Sequence, residues 1–272
     1  MQSPVIFRIH LALAAVLLAL ALPVQAQVGT KMASEAIKPV DATKQSGPWS
    51  GKLAAGYART AGNSESSAAN FSGEGRYDQD RWHHILGGTA VGTSSAANRD
   101  AESVTTAEAY WAGFKSQYDI TPAYYGFGSV DWYKDRFSAY DHQLYEAVGL
   151  GWRILRGQTH FLDVEAGVGA KQAKLQDAGS QDEAIGLLRG IYTWKISPNA
   201  TFVQRLSILS GSDNTYTEST TELKAGVIGN LSLVLGYTFK HNSDVAIDTS
   251  VTPNRPFDKT DTYTTISLEY GF

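Results

Sequence analysis

The feature that most restricts how this chain can fold is its last stretch, DTYTTISLEYGF, running from Asp261 to the terminal Phe272. Side chains of a strand alternate between two faces, so Ile266, Leu268, Tyr270 and Phe272 share one face while Tyr263, Thr265, Ser267 and Glu269 share the other. One face is therefore apolar up to the final residue. Chain ends usually fray in water, so an aromatic terminus on an alternating strand calls for a partner strand and an apolar surround. The stretch reads as the closing strand of a transmembrane β-barrel, with Ile266, Leu268, Tyr270 and Phe272 as its assembly signal. Ordinary antiparallel strands alternate too, so the rest of the chain must supply the other staves.

It does. Alternating segments are expected at 49–60, 67–78, 82–93, 104–118 and 122–134, followed by one that carries Leu144, Val148, Leu150, Trp152 and Ile154 on a single face. Further segments follow at 159–170, 183–196, 200–210, 216–227 and 231–241. Leu231, Leu233, Leu235, Tyr237 and Phe239 give the cleanest apolar face of all. With the terminal stretch this makes about twelve strands of roughly ten to fourteen residues, the length a tilted membrane strand needs. The segment at 122–134 has aromatics on both faces, Tyr124 and Trp132 against Tyr125, Phe127 and Tyr133, which leaves its facing open. Every second connection is tight, whereas 94–103, 171–182 and 242–260 are expected as long polar loops on the opposite side. The fold class is thus all-β, a closed antiparallel up-and-down transmembrane β-barrel spanning 49–272.

Composition agrees with this reading. Fourteen Tyr, 10 Phe, 6 Trp and 26 Gly suit strands and tight turns, and 18% charged residues is low for a soluble domain. The chain has no cysteine, which excludes disulfides and thiolate metal sites. A net charge of −4 without any Lys/Arg-rich run argues against nucleic acid as a partner. Residues 1–26 read as a cleaved export signal: Arg8 and His10, an apolar run at 11–22, then Val24, Gln25 and Ala26 as a small-residue cleavage site. Residues 27–48 read as a flexible periplasmic lead-in. The expected location is the bacterial outer membrane.

The inward faces carry Lys52, Arg76, Lys115, Arg153, Arg189, Lys195, Arg205, Lys224 and Lys240 against Glu74, Asp131, Asp163, Glu165, Glu218, Glu222 and Glu269. Opposite charges on neighbouring strands of a narrow barrel can meet across the lumen, and pairing makes their burial tolerable. The same residues serve two readings. One is a plug that fills the interior of a structural or adhesive barrel; the other is a narrow, weakly selective pore for ions or small solutes.

An enzyme is the rival class. His142, with Ser138 four residues earlier, offers the residue types of an acyl-transfer site, but no orienting third group accompanies them, and no catalytic role is expected. His83, His84 and His142 read as interfacial polar residues. Glu108 and Glu146 fall on the lipid-facing parity, which calls for a position near the rim or a bulge. Asp213, Asp244, Asp248, Asp258 and Asp261 are scattered loop acids, more simply solvated than metal-binding. No metal and no cofactor are expected.

The stretches YDHQLYEAVGLGWRIL, FLDVEAGVG, SPNATFVQRLS, LSLVLGYTFKHNSD and KTDTYTTISLEYGF, in this order, resemble the family of salt-induced outer-membrane proteins, the YdiY-like proteins. The resemblance covers essentially 49–272. Asn242 to Asp244 and Lys259 to Asp261 resemble a family feature, separated here by an insert containing Pro253 and Pro256. The resemblance implies an outer-membrane barrel and a link to salt stress, and it brings no catalytic residues. From the terminal strand, the apolar faces and the lumen charges, the expected partners are outer-membrane lipid and lipopolysaccharide, the outer-membrane assembly machinery, and ions or small solutes.

Overall fold

A computed structural model describes residues 47–60, 65–96, 102–138, 140–176, 179–245, 247–248, 255–256 and 258–272. The expected export signal and almost all of the lead-in lie outside the described residues. The strands are β1 (Trp49–Thr60), β2 (Glu65–Gln79), β3 (Trp82–Ala96), β4 (Val104–Asp119), β5 (Tyr124–Asp135) and β6 (Tyr140–Arg156). They continue as β7 (His160–Leu175), β8 (Ser180–Ser197), β9 (Ala200–Ser210), β10 (Thr215–Ile228), β11 (Leu231–Asn242), β12 (Ile247–Asp248), β13 (Arg255–Pro256) and β14 (Thr260–Gly271). Twelve of them close into one antiparallel barrel, each strand beside its neighbours in sequence and β14 beside β1, while β12 and β13 form a separate pair.

The tight turns sit at the end that also holds both barrel termini. Asp80, with φ +53°, turns β2 into β3, and Gly229, with φ +55°, turns β10 into β11. Left-handed backbone of this kind is the province of Gly, Asn and Asp, which explains the residue types at both corners.

Two expectations are corrected, and one facing left open is settled. The charged loop at 171–182 is mostly strand, because the β7–β8 ladder continues through Lys171↔Glu183 to Lys174↔Ser180. The connection at 242–260 contains the β12–β13 pair, with Ile247 opposite Pro256 and Asp248 opposite Arg255. The facing of β5 is now fixed: Tyr125 and Phe127 are buried inside at 1% and 6% exposure, whereas Tyr124 and Trp132 lie outside. Glu108 and Glu146 both remain on the outward parity. Glu108 lies 3.0 Å from the Arg136 guanidinium just beyond the end of β5, and Glu146 is exposed within β6.

The packed core is inside the barrel. Tyr125, Phe127, Ala147, Ile185, Leu187 and Leu209 form one apolar cluster, backed by Tyr145 and Tyr216. Room for the rings comes from glycines directly opposite them in register, Gly151 for Tyr125 and Gly149 for Phe127. A Cβ at Gly151 would stand 2.1 Å from the Tyr125 ring, and one at Gly149 would meet Phe127 at 2.8 Å.

Candidate functional site in the barrel lumen

At mid-height a balanced group of charges spans the lumen from β4 and β5 to β7 and β8. Lys115 donates to Glu165, and the Tyr125 hydroxyl donates to the same carboxylate oxygen at 2.8 Å. The Trp111 indole donates to Asp131 Oδ1 at 3.1 Å, and Arg189 stands 3.9 Å from both Asp131 and Glu165. Exposure of Lys115, Asp131, Glu165 and Arg189 is 3% or less. Two cations against two carboxylates leave no net charge in a place where an unpaired one would be prohibitive.

Further ion pairs lie above, below and beside this plane. Toward the short turns, Arg153 meets Asp119, Arg156 meets Asp163, and Arg76 lies 3.4 Å from Asp78. His83 bridges the Asp78 and Asp119 carboxylates at 2.7 and 3.2 Å. Toward the long loops, Lys171 pairs with Glu183 at 3.0 Å and Lys240 with Glu218 at 4.0 Å. On the remaining wall Lys52 pairs with Glu74 at 3.1 Å, Arg205 with Glu222 at 2.8 Å, and Lys224 with Glu269.

The lumen candidates from Lys52 to Arg189 and from Arg205 to Glu269 are therefore brought into opposite-charge pairs. Lys195 is exposed near the end of β8 with its ammonium 5.3 Å from the Phe161 ring centre. Parity gave its face of the strand but not its depth. Sequence reasoning missed His83, Asp78, Asp119 and Trp111 as interior groups. The usable signal was their parity: His83↔Asp78 and His83↔Gln117 are direct cross-strand partners, and Gln117 lies on the Lys115 face. His84, by contrast, is outside, stacked between Trp82 and Phe114.

His142 and Ser138 are not brought together as an acyl-transfer pair. The Ser138 hydroxyl donates to the Asp135 and Tyr140 carbonyls at 3.0 Å each, while His142 Nδ1 lies 2.9 Å from its neighbour Asp141. Among the described residues no group of three or more side chains is arranged to hold a metal ion.

The exterior has the opposite character. Leu53, Leu86, Val148, Leu150, Val168, Leu188 and Leu268 are all at least 45% exposed. Around the short-turn end an aromatic belt runs through Trp49 and Tyr77, Trp82 and Tyr118, and Tyr124 and Trp152, with centroid distances of 4.7 to 6.0 Å. It continues through His160, Trp194, Tyr192 and Phe202. Such a belt marks the level of a membrane–water interface, where rings keep one edge in hydrocarbon and the other in water. A closed barrel with a charged, paired interior and an apolar, aromatic-girdled exterior defines a membrane-spanning β-barrel.

The chain belongs to the family described as "Protein of unknown function, DUF481", which matches residues 53–272. It is 30% identical over 224 residues to the uncharacterised protein YdiY of Escherichia coli strain K12, covering 82% of this chain and 83% of that protein. Among solved structures it is similar to the NanC porin at 10% identity and a TM-score of 0.47, over 80% of this chain and 98% of that one. It is also similar to the translocator domain of the autotransporter NalP from Neisseria meningitidis, at 10% identity and a TM-score of 0.44, over 82% and 87% of the two chains.

Proposed function

We propose that this protein is an outer-membrane barrel that conducts ions and small polar solutes through a narrow path along one side of its lumen. The observation that carries the reading is the uneven filling of the interior. From β4 to β9 it is occupied by Trp111, Lys115, Tyr125, Phe127, Ile185, Leu187 and Arg189, all at or below 8% exposure. Along β14, β1 and β2 several inward positions are small: Ala54 lies opposite Ser72, Gly56 opposite Asn70, and Ser267 opposite Val234. Lys52 and Glu74, on that wall, keep side-chain exposures of 20% and 17%. A path lined by balanced ion pairs and small residues selects weakly by charge and strongly by size.

The salt association implied by the family resemblance suits an ion-conducting path. No lipid hydrolase or acyltransferase activity is proposed, since the Ser138 hydroxyl is committed to backbone carbonyls. The test is single-channel conductance of the refolded protein in planar bilayers. The parent should conduct, and Ser72→Trp should narrow or close the path. A barrel that never conducts would leave the plugged structural reading, which the buried plane around Lys115 and Glu165 favours.

A further inference from the structure

Along most of the lumen the charges pair off with their opposites, and at the long-loop mouth they do not. Lys240 of β11 stands in register between two acids, Glu218 on β10 and Asp261 on β14. A third acid, Asp135, comes from β5, where its carboxylate accepts from the Tyr133 hydroxyl at 3.2 Å. Asp135 and Asp261 are half-buried, and the charges of both act on the Lys240 ammonium. One cation therefore answers three carboxylates.

The ammonium does not settle wholly on its neighbour. It lies 4.0 Å from Glu218, too long for a hydrogen bond, and 5.5 Å from the centre of the Tyr133 ring, within the range of a cation–π contact. In the closed barrel β5 and β11 are six strands apart by either route, so this contact crosses the lumen. Lys240 is only 5% exposed, and a charge enclosed in this way is screened little by salt. An ion that enters at this level passes within its field. Carboxylates in a cleft with low-dielectric walls concentrate cations, and the Lys240 ammonium occupies the place among them that a cation would otherwise take.

We propose that Lys240 is the selectivity-determining residue of the long-loop mouth: a tethered cation, braced on Tyr133 across the lumen, that offsets the Glu218, Asp135 and Asp261 carboxylates and keeps ion passage weakly selective. This rests on the reading of the lumen as an ion-conducting path, and it names where along that path the choice between cations and anions is set.

Two measurements on the full refolded barrel test this. The native chain has no cysteine, so Tyr133→Cys with Lys240→Cys gives one defined pair, which a short bismaleimide should bridge across the lumen. Failure to bridge in a heat-modifiable, folded barrel would overturn the brace. In planar bilayers under a KCl gradient, Lys240→Gln should shift the reversal potential toward the potassium equilibrium value, and the shift should persist as the salt concentration is raised. Lys174→Gln makes the same change of charge at an exposed position of β7 and should leave the potential near that of the parent. Asp135→Asn with Asp261→Asn spares the buried Lys240 and Glu218, so it keeps the test open where Lys240→Gln fails to fold, and it should move the potential the opposite way. A conducting barrel whose potential is unmoved by these changes, or moved no more than by Lys174→Gln, would overturn the proposal and leave the pore standing. A parent barrel that never conducts would overturn the pore, and this role of Lys240 with it.

Discussion

Gly51 and Phe272 exchange both of their backbone hydrogen bonds, at 2.9 and 3.0 Å, and the Phe272 ring lies so close over the glycine that a Cβ there would stand 2.5 Å from it. The terminal residue is thus held by β1 as well as following β14. Removing it shortens the ladder between β1 and β14, whose register covers only Lys52–Ala55 against Leu268–Gly271. Each backbone group unpaired in hydrocarbon costs several kcal/mol, so deletion of Phe272, or Phe272→Asp, should sharply lower the yield of heat-modifiable folded barrel. Gly51→Val should do the same by displacing the ring, whereas Gly75→Ala, which would meet nothing within 4 Å, should assemble like the parent. Electrophoretic heat-modifiability of membrane fractions checks all four; normal assembly of the deletion would remove β14 from its closing role.

The buried pair of Lys115 and Glu165 makes a second prediction. Either residue replaced alone by Met leaves a charge in a place with almost no solvent, a loss of about 3 to 5 kcal/mol by analogy with other broken buried pairs. The double variant K115M/E165M removes one charge of each sign and leaves Arg189 beside Asp131, so it should recover most of that loss. Urea unfolding of the refolded barrel in vesicles measures the three. A double variant as unstable as the sum of the singles would show that the pair is not acting as a unit.

Where the two surroundings of a strand differ, the sequence was easy to read. β11 and β14 face lipid on one side and hydroxyls and charges on the other, and their alternation stood out. β5 was ambiguous because the lumen beside it is itself apolar: Tyr125 and Phe127 join Ile185, Leu187 and Leu209 inside. The clue lay on the neighbouring strand, where Gly149 and Gly151 share the parity of Arg153 and leave space for rings. Loop length was misjudged at 171–182 because charged residues extend the β7–β8 ladder, and composition cannot separate a solvated strand end from a loop. Parity likewise could not tell that Lys195 lies in the open while Lys240 is buried.

The ring-over-glycine contacts give a third prediction. Gly151→Ala drives a methyl into the Tyr125 ring, at an expected cost of about 1 to 3 kcal/mol for overpacking. Because the obstacle is a side chain, Tyr125→Ala should relieve the added strain in the double variant. Gly169→Ala differs, since its Cβ would lie 2.0 Å from the Glu146 backbone oxygen. No neighbouring truncation should rescue that variant. Thermal unfolding followed by heat-modifiability distinguishes the two cases; rescue of Gly169→Ala by a side-chain truncation would contradict the close approach of β6 and β7.

The last prediction concerns charge selection along the open side of the lumen. Lys52 and Glu74 stand opposite each other in register with their charged ends 3.1 Å apart, so the pair presents no net charge to a passing ion. Lys52→Glu would place two carboxylates there, with Glu269 a further acid near Ala54. A focused negative potential raises the local cation concentration and depresses that of anions, and added salt screens it. Under a KCl gradient the reversal potential of Lys52→Glu should shift toward the potassium equilibrium value, Glu74→Lys should move it the opposite way, and both shifts should shrink as the salt concentration rises. The exchange K52E/E74K restores one charge of each sign and should return the reversal potential close to that of the parent. If the single reversals leave it unchanged while the barrel still conducts, ions do not pass beside this pair, and the conducting path does not run along β1 and β2.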